Sequence, residues 1–220
     1  SKGFPDKNRA KLSGKSLITR VVEKAAPHFQ KVIFSSDSIE YLNWIEELDI
    51  ENVICATRPH DLATDTATLD DVALHYFKQY KKHFLQIWMM LPTCPLLSEN
   101  DIVSAQNILD ANDFGGIVSV TRMEYSPYLG LTLENGKLED WHPTKPRQGG
   151  VRIDTLNDED YREVYKPNGG LYGMWMESFS NKRGFFRGNV TGYVMPKVRS
   201  IDIKTPLDLK LAEIILRESK

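Results

Sequence analysis

The chain has 220 residues (25.2 kDa), of which 41% are hydrophobic and 26% charged, an ordinary globular composition that suits one large α/β domain and leaves little room for two. Lys and Arg number 28 against 30 Asp and Glu, a net charge of −2, so the overall field attracts neither a nucleic acid nor an acidic membrane surface, and phosphate chemistry has to come from a local cluster. Two cysteines, Cys55 and Cys94, are too few for a disulfide scaffold and lack metal-ligand spacing; they read as buried thiols of a protein in the reducing cytoplasm.

In chain order, Ser1-Lys2-Gly3-Phe4-Pro5-Asp6-Lys7-Asn8 is a Gly/Pro-kinked loop carrying two ammonium groups, suited to wrapping a polyphosphate or, equally, a solvated basic end. Residues 15–26 put Leu17, Ile18, Val21, Val22 and Ala25 on one helical face. Val32-Ile33-Phe34 is a short strand ending in Ser35-Ser36-Asp37, and Ile39, Leu42, Ile45 and Leu48 mark a second helix. Val53-Ile54-Cys55 is a strand; Leu69 to Tyr80 is helical; Leu85 to Leu91 reads as a fully buried strand, and no apolar run reaches the roughly 20 residues of a membrane span. No secretory signal is visible. Ser98 caps a helix through Leu109, and Gly116 to Val120 is another buried strand. This alternation is the signature of βαβ units and a parallel sheet.

After about residue 122 the pattern changes. Asn135-Gly136 marks a hairpin between Leu131 and Leu138, residues 144–166 read as a long surface loop, Ser200 to Ile203 as a short strand, and Thr205-Pro206 as the start of a closing helix.

The opening segment resembles the N-terminal signature of the acylneuraminate cytidylyltransferases (CMP-sialic acid synthetases), in which a glycine loop ends in Ser-Lys and continues to Pro-x-Lys-Asn. Further matches follow in the family's order: Ser35-Ser36-Asp37, Arg58-Pro59, Leu62-Ala63-Thr64-Asp65-Thr66, Pro92-Thr93-Cys94-Pro95-Leu96, Pro146-Arg147-Gln148, Pro167-Asn168-Gly169, Tyr172, Phe185-Phe186 and Ser200-Ile201-Asp202-Ile203. Each is short; together they cover essentially the whole chain.

The resemblance implies a Rossmann-like three-layer sandwich with a mostly parallel central sheet, of the nucleotide-diphospho-sugar transferase type. Residues 1–220 would form one cytidylyltransferase domain, with an antiparallel dimerisation and sugar-binding elaboration at about 122–193. It also implies transfer of CMP from CTP to the anomeric hydroxyl of a nonulosonic sugar, with release of pyrophosphate. By similarity, Ser1 and Lys2 hold the CTP phosphates, Lys7 stabilises charge at the α-phosphate, and Asn8 and Arg58 fix the nucleoside. Asp202 binds Mg²⁺. Arg147, Lys166, Asn168, Tyr172, Phe185 and Phe186 receive the sugar, the Phe pair reaching across from a second subunit of a homodimer. Read from the residues alone, Arg58 pins its loop to Asp61 or Asp65, Asn168-Gly169 is a turn, and the Phe pair is core or interface packing.

Four departures qualify the resemblance. The family's first strand and glycine loop precede Ser-Lys, so upstream residues are expected. The family's Asp-x-Asp is Asp202-Ile203-Lys204 here, which places an ammonium where a second metal-binding carboxylate is usual. Leu91 and Leu97 stand where Gln and Arg are common, which points to a deaminated, deoxy or bis-acylated nonulosonate. The spacer from Gly149 to Tyr165 is long, fit to close over the sugar or to decorate a dimer contact. Two alternatives stay open: a catalytically silent nucleotide- or partner-binding relative, and a cytidylyltransferase for another keto acid sugar such as Kdo.

Overall fold

The computed structural model describes residues 4–125, 127, 130–141, 163–182 and 184–218. Six α-helices lie among them: α1 (Leu17–Ala25), α2 (Ile39–Glu46), α3 (Leu69–Tyr80), α4 (Glu99–Ala111), α5 (Met176–Lys182) and α6 (Pro206–Glu218). The starts of five are written in the sequence. Ser16 and Ser38 accept from the backbone of α1 and α2, and reciprocal capping boxes open α3 (Thr68 with Asp71), α4 (Ser98 with Asp101) and α6 (Thr205 with Asp208). Among the described residues no helix is long and apolar enough to cross a membrane.

The strands are β1 (Lys11–Leu12), β2 (Lys15–Ser16), β3 (Val32–Ser36), β4 (Val53–Thr57), β5 (Gln86–Met90), β6 (Gly116–Arg122), β7 (Leu131–Glu134), β8 (Lys137–Asp140), β9 (Tyr165–Trp175) and β10 (Val190–Val194). β3 and β4 pair in parallel, while a second ladder has the order β10-β6-β9-β5. In it β10 runs parallel to β6, and β9 is antiparallel to both β6 and β5, so β5, β6 and β10 share one direction and β9 opposes them. The sheet is therefore mixed, with parallel strands in the majority. The expected hairpin is present as β7 and β8, joined by Asn135 (φ 52°) and Gly136 (φ 79°) in a two-residue turn of left-handed residues.

Two expectations need correction. The 85–91 strand is not fully buried: Leu85 is 78% exposed and every residue of β5 is half-buried. β5 is apolar on both faces, Ile87 and Met89 meeting the cluster under α3 and α5 and Trp88 and Met90 the one under α4, but it lies at the edge of its ladder. Residues 200–203 form no strand; the Ile203 N–H instead makes a single bond to the Thr93 carbonyl (2.7 Å), and the buried Ile203 side chain anchors the segment.

β9 was not legible as one strand because its Gly and Pro content mimics a loop. The ladder with β6 slips there, Val118 facing Tyr172 but Val120 facing Pro167, so Asn168 to Leu171 oppose Ser119 alone in a wide bulge. Gly169 takes φ 79° to make the bend. The lost ladder bonds are replaced by side chains: Ser119 Oγ donates to Asn168 Oδ1 (2.6 Å) and accepts from the Leu171 N–H (2.8 Å), and Asn168 Oδ1 also accepts from the Gly170 N–H (3.0 Å).

Candidate active site

Several candidate segments lie at the C-terminal ends of strands, the positions where crevices form in open α/β sheets. There are four of them: Ser35-Ser36 close β3, Arg58 follows β4, the turn from Leu91 to Leu97 follows β5, and the 195–204 segment follows β10. The opening of the chain joins the last of these. Phe4 packs into the same apolar cluster as Leu12, Leu17, Leu96, Ile201 and Ile203, which brings the first described residues beside the segment that carries Asp202.

Lys7 and Asn8 stand on a short 3-10 turn, Lys7–Arg9, and both are half-buried. Asp6, in the left-handed region (φ 51°), bends the chain into that turn, and Arg9 leans on α2 through Trp44 (5.5 Å) and Glu40 (3.9 Å). Arg58 pins its loop, but not to Asp61 or Asp65: its Nη2 donates to the Ser35 carbonyl (2.6 Å) and its Nε to Ser35 Oγ (3.2 Å), while Tyr76 also donates to that hydroxyl (2.8 Å). Ser1 and Lys2 lie outside the described residues, as does Arg147.

At the sugar end the candidates divide. Tyr172, buried on β9, packs against Phe185 and Phe186 with ring centroids 5.8 Å away in each case. Phe185 is 1% exposed and belongs to its own chain's core with Phe179, whereas Phe186 is 58% exposed. Asp70, at the start of α3, fixes this pair by accepting from the Phe185 N–H (3.1 Å). Lys166 is exposed on β9 opposite Thr121. Asn168 is 4% exposed and its amide is committed inward: besides the bulge bonds, Nδ2 donates to Ser200 Oγ (2.9 Å). Leu91 packs against the cluster containing Tyr172 and Phe185, so it adds apolar wall; Leu97 is buried under α4. Most of the long 149–165 spacer lies outside the described residues.

Charge around Asp202 is local and dense. Its Oδ2 lies 3.3 Å from Lys204 Nζ, with about a third of the Asp202 side chain exposed. Burial raises the Cys94 thiol to about 12, the Asp202 carboxylate adding to the effect and Lys24 opposing it. Burial also raises Tyr172, again with Asp202 contributing. Lys24, on α1, donates to the Pro95 carbonyl (3.0 Å) and to that of Leu97, binding helix to turn; burial lowers its pKa.

A carboxylate that sequence reasoning missed lies nearby. Asp101 is 0% exposed; its Oδ2 accepts from the Ser98 N–H (2.8 Å), Ser98 Oγ (2.7 Å) and Arg199 Nε (2.9 Å), its Oδ1 from Tyr193 (2.9 Å) and Arg199 Nη2 (2.8 Å). Burial pushes its pKa up, but these hydrogen bonds outweigh burial and hold it at about 2. The capping-box spacing of Ser98 and Asp101 was legible; the distant partners were not.

Among the described residues no three His, Cys, Asp or Glu side chains cluster in a way that could hold a metal. Asp202 offers one partly exposed carboxylate, which suits Mg²⁺ of the kind held by one or two protein carboxylates with the rest of its sphere from phosphate and water.

The chain is 29% identical over 215 residues to an N-acylneuraminate cytidylyltransferase of Streptococcus agalactiae serotype V, covering 93% of this chain and 48% of that protein. It is 21% identical over 221 residues to a pseudaminic acid cytidylyltransferase of Campylobacter jejuni serotype O:23/36, covering 99% and 92%. The chain thus spans about half the length of the first of these relatives and nearly all of the second. A solved CMP:2-keto-3-deoxy-manno-octonic acid synthetase complexed with CTP superposes with a TM-score of 0.63 at 12% identity, over 100% of this chain and 95% of that one, a likeness of fold. The sequence profile of the cytidylyltransferases matches residues 1–140. Because that profile covers more than half of its length, this chain belongs to the cytidylyltransferase family.

Proposed function

We propose that the protein transfers CMP from CTP to the anomeric hydroxyl of a nonulosonic, sialic-acid-like sugar and releases pyrophosphate. The observation that carries the reading is that Phe4 and Ile201 both pack against the apolar cluster that holds Ile203, which ties the opening of the chain to the segment bearing Asp202. The names of the two relatives support the sugar class.

In this reading Lys7, with Ser1 and Lys2, neutralises the triphosphate, and Asp202 is the residue that would hold Mg²⁺. The metal supplies charge neutralisation at the phosphates, and the protein supplies position. The anomeric oxygen forms the new bond to the α-phosphorus as the bond to the bridging oxygen of pyrophosphate breaks. Arg58 and Asn8 hold the nucleoside; Arg58 already bonds Ser35, so it presents a fixed guanidinium rather than a mobile one. Tyr172, Leu91 and exposed Phe186 form the apolar wall of the sugar site, with Lys166 and Arg147 as the cations for its carboxylate. That wall favours a nonulosonate with more apolar surface than N-acetylneuraminate. Phe186 would face a second subunit in a homodimer that shares the pocket, a reading that its exposure supports.

The test is pyrophosphate release from CTP, UTP, GTP and ATP with a panel of nonulosonates and Kdo. Release that requires CTP and a nonulosonate is expected. Selective use of Kdo would favour the second reading, which rests on the fold likeness to the octonic acid synthetase. Measurable CTP binding with no release on any sugar would identify a silent relative.

A further inference from the structure

No strand ladder supports Asp202, because the backbone from Ser200 to Lys204 is irregular. Its position is set from both sides by other means. Downstream, the Ile203 N–H bonds the Thr93 carbonyl (2.7 Å), and the Lys204 and Thr205 N–H groups bond Asp208 Oδ2 (2.9 and 2.7 Å). Upstream, Arg199 closes the 3-10 turn Lys197–Arg199 and sends its guanidinium back to the buried Asp101 carboxylate in two parallel bonds of 2.8 and 2.9 Å. The Arg199 carbonyl accepts from Cys94 Sγ (3.6 Å), and Ser200 is pinned by its own Oγ to the Pro196 carbonyl (2.9 Å) and by Asn168 (2.9 Å).

The Asp101–Arg199 fork is not needed to start α4. The capping box at Thr68 and Asp71 has the same bonds, with the Thr68 N–H and Oγ at 2.9 and 2.7 Å from the Asp71 carboxylate, and it opens α3 with no arginine bonded to it among the described residues. What the fork adds is a fixed distance and direction between the start of α4 and a residue 98 positions later in the chain, three before Asp202. We infer that Arg199, held by Asp101, is a positioning residue that sets where the Asp202 carboxylate points, and that Asn168 serves as a second pin of the same segment through Ser200. The inference rests on the assignment of Asp202 to the nucleotide phosphates.

Arg199→Lys keeps the charge and loses the fork, and Leu109→Ala is the control for loosening α4 itself, since Leu109 is wholly buried in the apolar cluster of that helix and has no polar atom with which to hold Arg199. Loss of a supporting residue around a ligating group is expected to lower turnover by about 10- to 100-fold, with the KM for CTP nearly unchanged. Amide hydrogen exchange at 201–204 should rise in Arg199→Lys and not in Leu109→Ala. In an Asp202→Ala background, Arg199→Lys should lower turnover no further, because both changes remove the same aimed carboxylate. A turnover loss no larger than that of Leu109→Ala, or a full additional loss on top of Asp202→Ala, overturns the inference. If the unaltered protein neither binds CTP nor releases pyrophosphate, the proposed function fails; the exchange comparison still judges the clamp, since unchanged exchange at 201–204 in Arg199→Lys overturns it alone.

Discussion

Asp202 and Lys204 lie 3.3 Å apart and carry opposite charges into the same small volume, so substitutions at the two should act in different ways. Asp202→Ala removes the carboxylate assigned to the metal and is expected to lower turnover by at least about 100-fold, the scale of losing one preorganised electrostatic partner. Lys204→Ala should cost less, since Lys204 is largely exposed, and should lower the Mg²⁺ concentration needed for half-maximal rate by releasing Asp202 from its ion pair. Steady-state rates over a Mg²⁺ titration check both, and a fully active Asp202→Ala would remove the metal assignment. Asp101 behaves differently, as a buried group whose hydrogen bonds hold its pKa in the folded protein at about 2, below the ordinary carboxylate range. The linkage sign is that of a carboxylate stabilised in its charged form: its contribution, about 2 kcal/mol, is present above about pH 4 and is lost as pH falls toward 2. The stability gap between the unaltered protein and Asp101→Asn should therefore narrow across that window in acid titrations of unfolding; a gap independent of pH would contradict it. Cys94, buried and raised to about 12, should resist maleimide at neutral pH in the folded protein and react only on unfolding.

At the scale of elements, β9 is the strand on which the site depends, and it is the one that sequence patterning hid. Gly173 lies where β9 crosses β5, and a Cβ built there would meet Trp88 ring carbons at 2.3–2.6 Å. Gly173→Ala should destabilise the protein by about 1–3 kcal/mol through overpacking, read as a lower midpoint of thermal unfolding; an unchanged midpoint would mean that β5 and β9 separate more easily than their register implies. Five of the six helices among the described residues were legible because apolar period and Ser or Thr caps are local signals, as at Ser16, Ser38, Thr68, Ser98 and Thr205, whereas α5 was not legible. The bulge was not, because Asn168 and Gly169 look like a turn unless Ser119, 49 residues earlier, is known to fill it. The same limit applies to the site. Lys7, Arg58 and Asp202 announced themselves through short motifs, but that Arg58 bonds Ser35, that Phe185 stays in its own core while Phe186 faces out, and that Asn168 is turned inward are facts of tertiary packing alone.

For the molecule as a whole, one apolar cluster holds Ile203 and receives both Phe4 and Ile201, so the segment that leads into the Lys7 turn and the segment bearing Asp202 are packed together. One triphosphate is expected to lie between them, with the apolar wall of Tyr172, Leu91 and Phe186 beyond its α-phosphate. The most direct measurement is a crystal structure with CTP and Mg²⁺. The account predicts Lys7 Nζ within hydrogen-bond reach of a phosphate oxygen, about 3 Å, and Asp202 coordinating the ion that bridges the same triphosphate. A nucleotide bound elsewhere, or one touched by the opening turn while Asp202 remains paired with Lys204 and remote from it, would contradict the account.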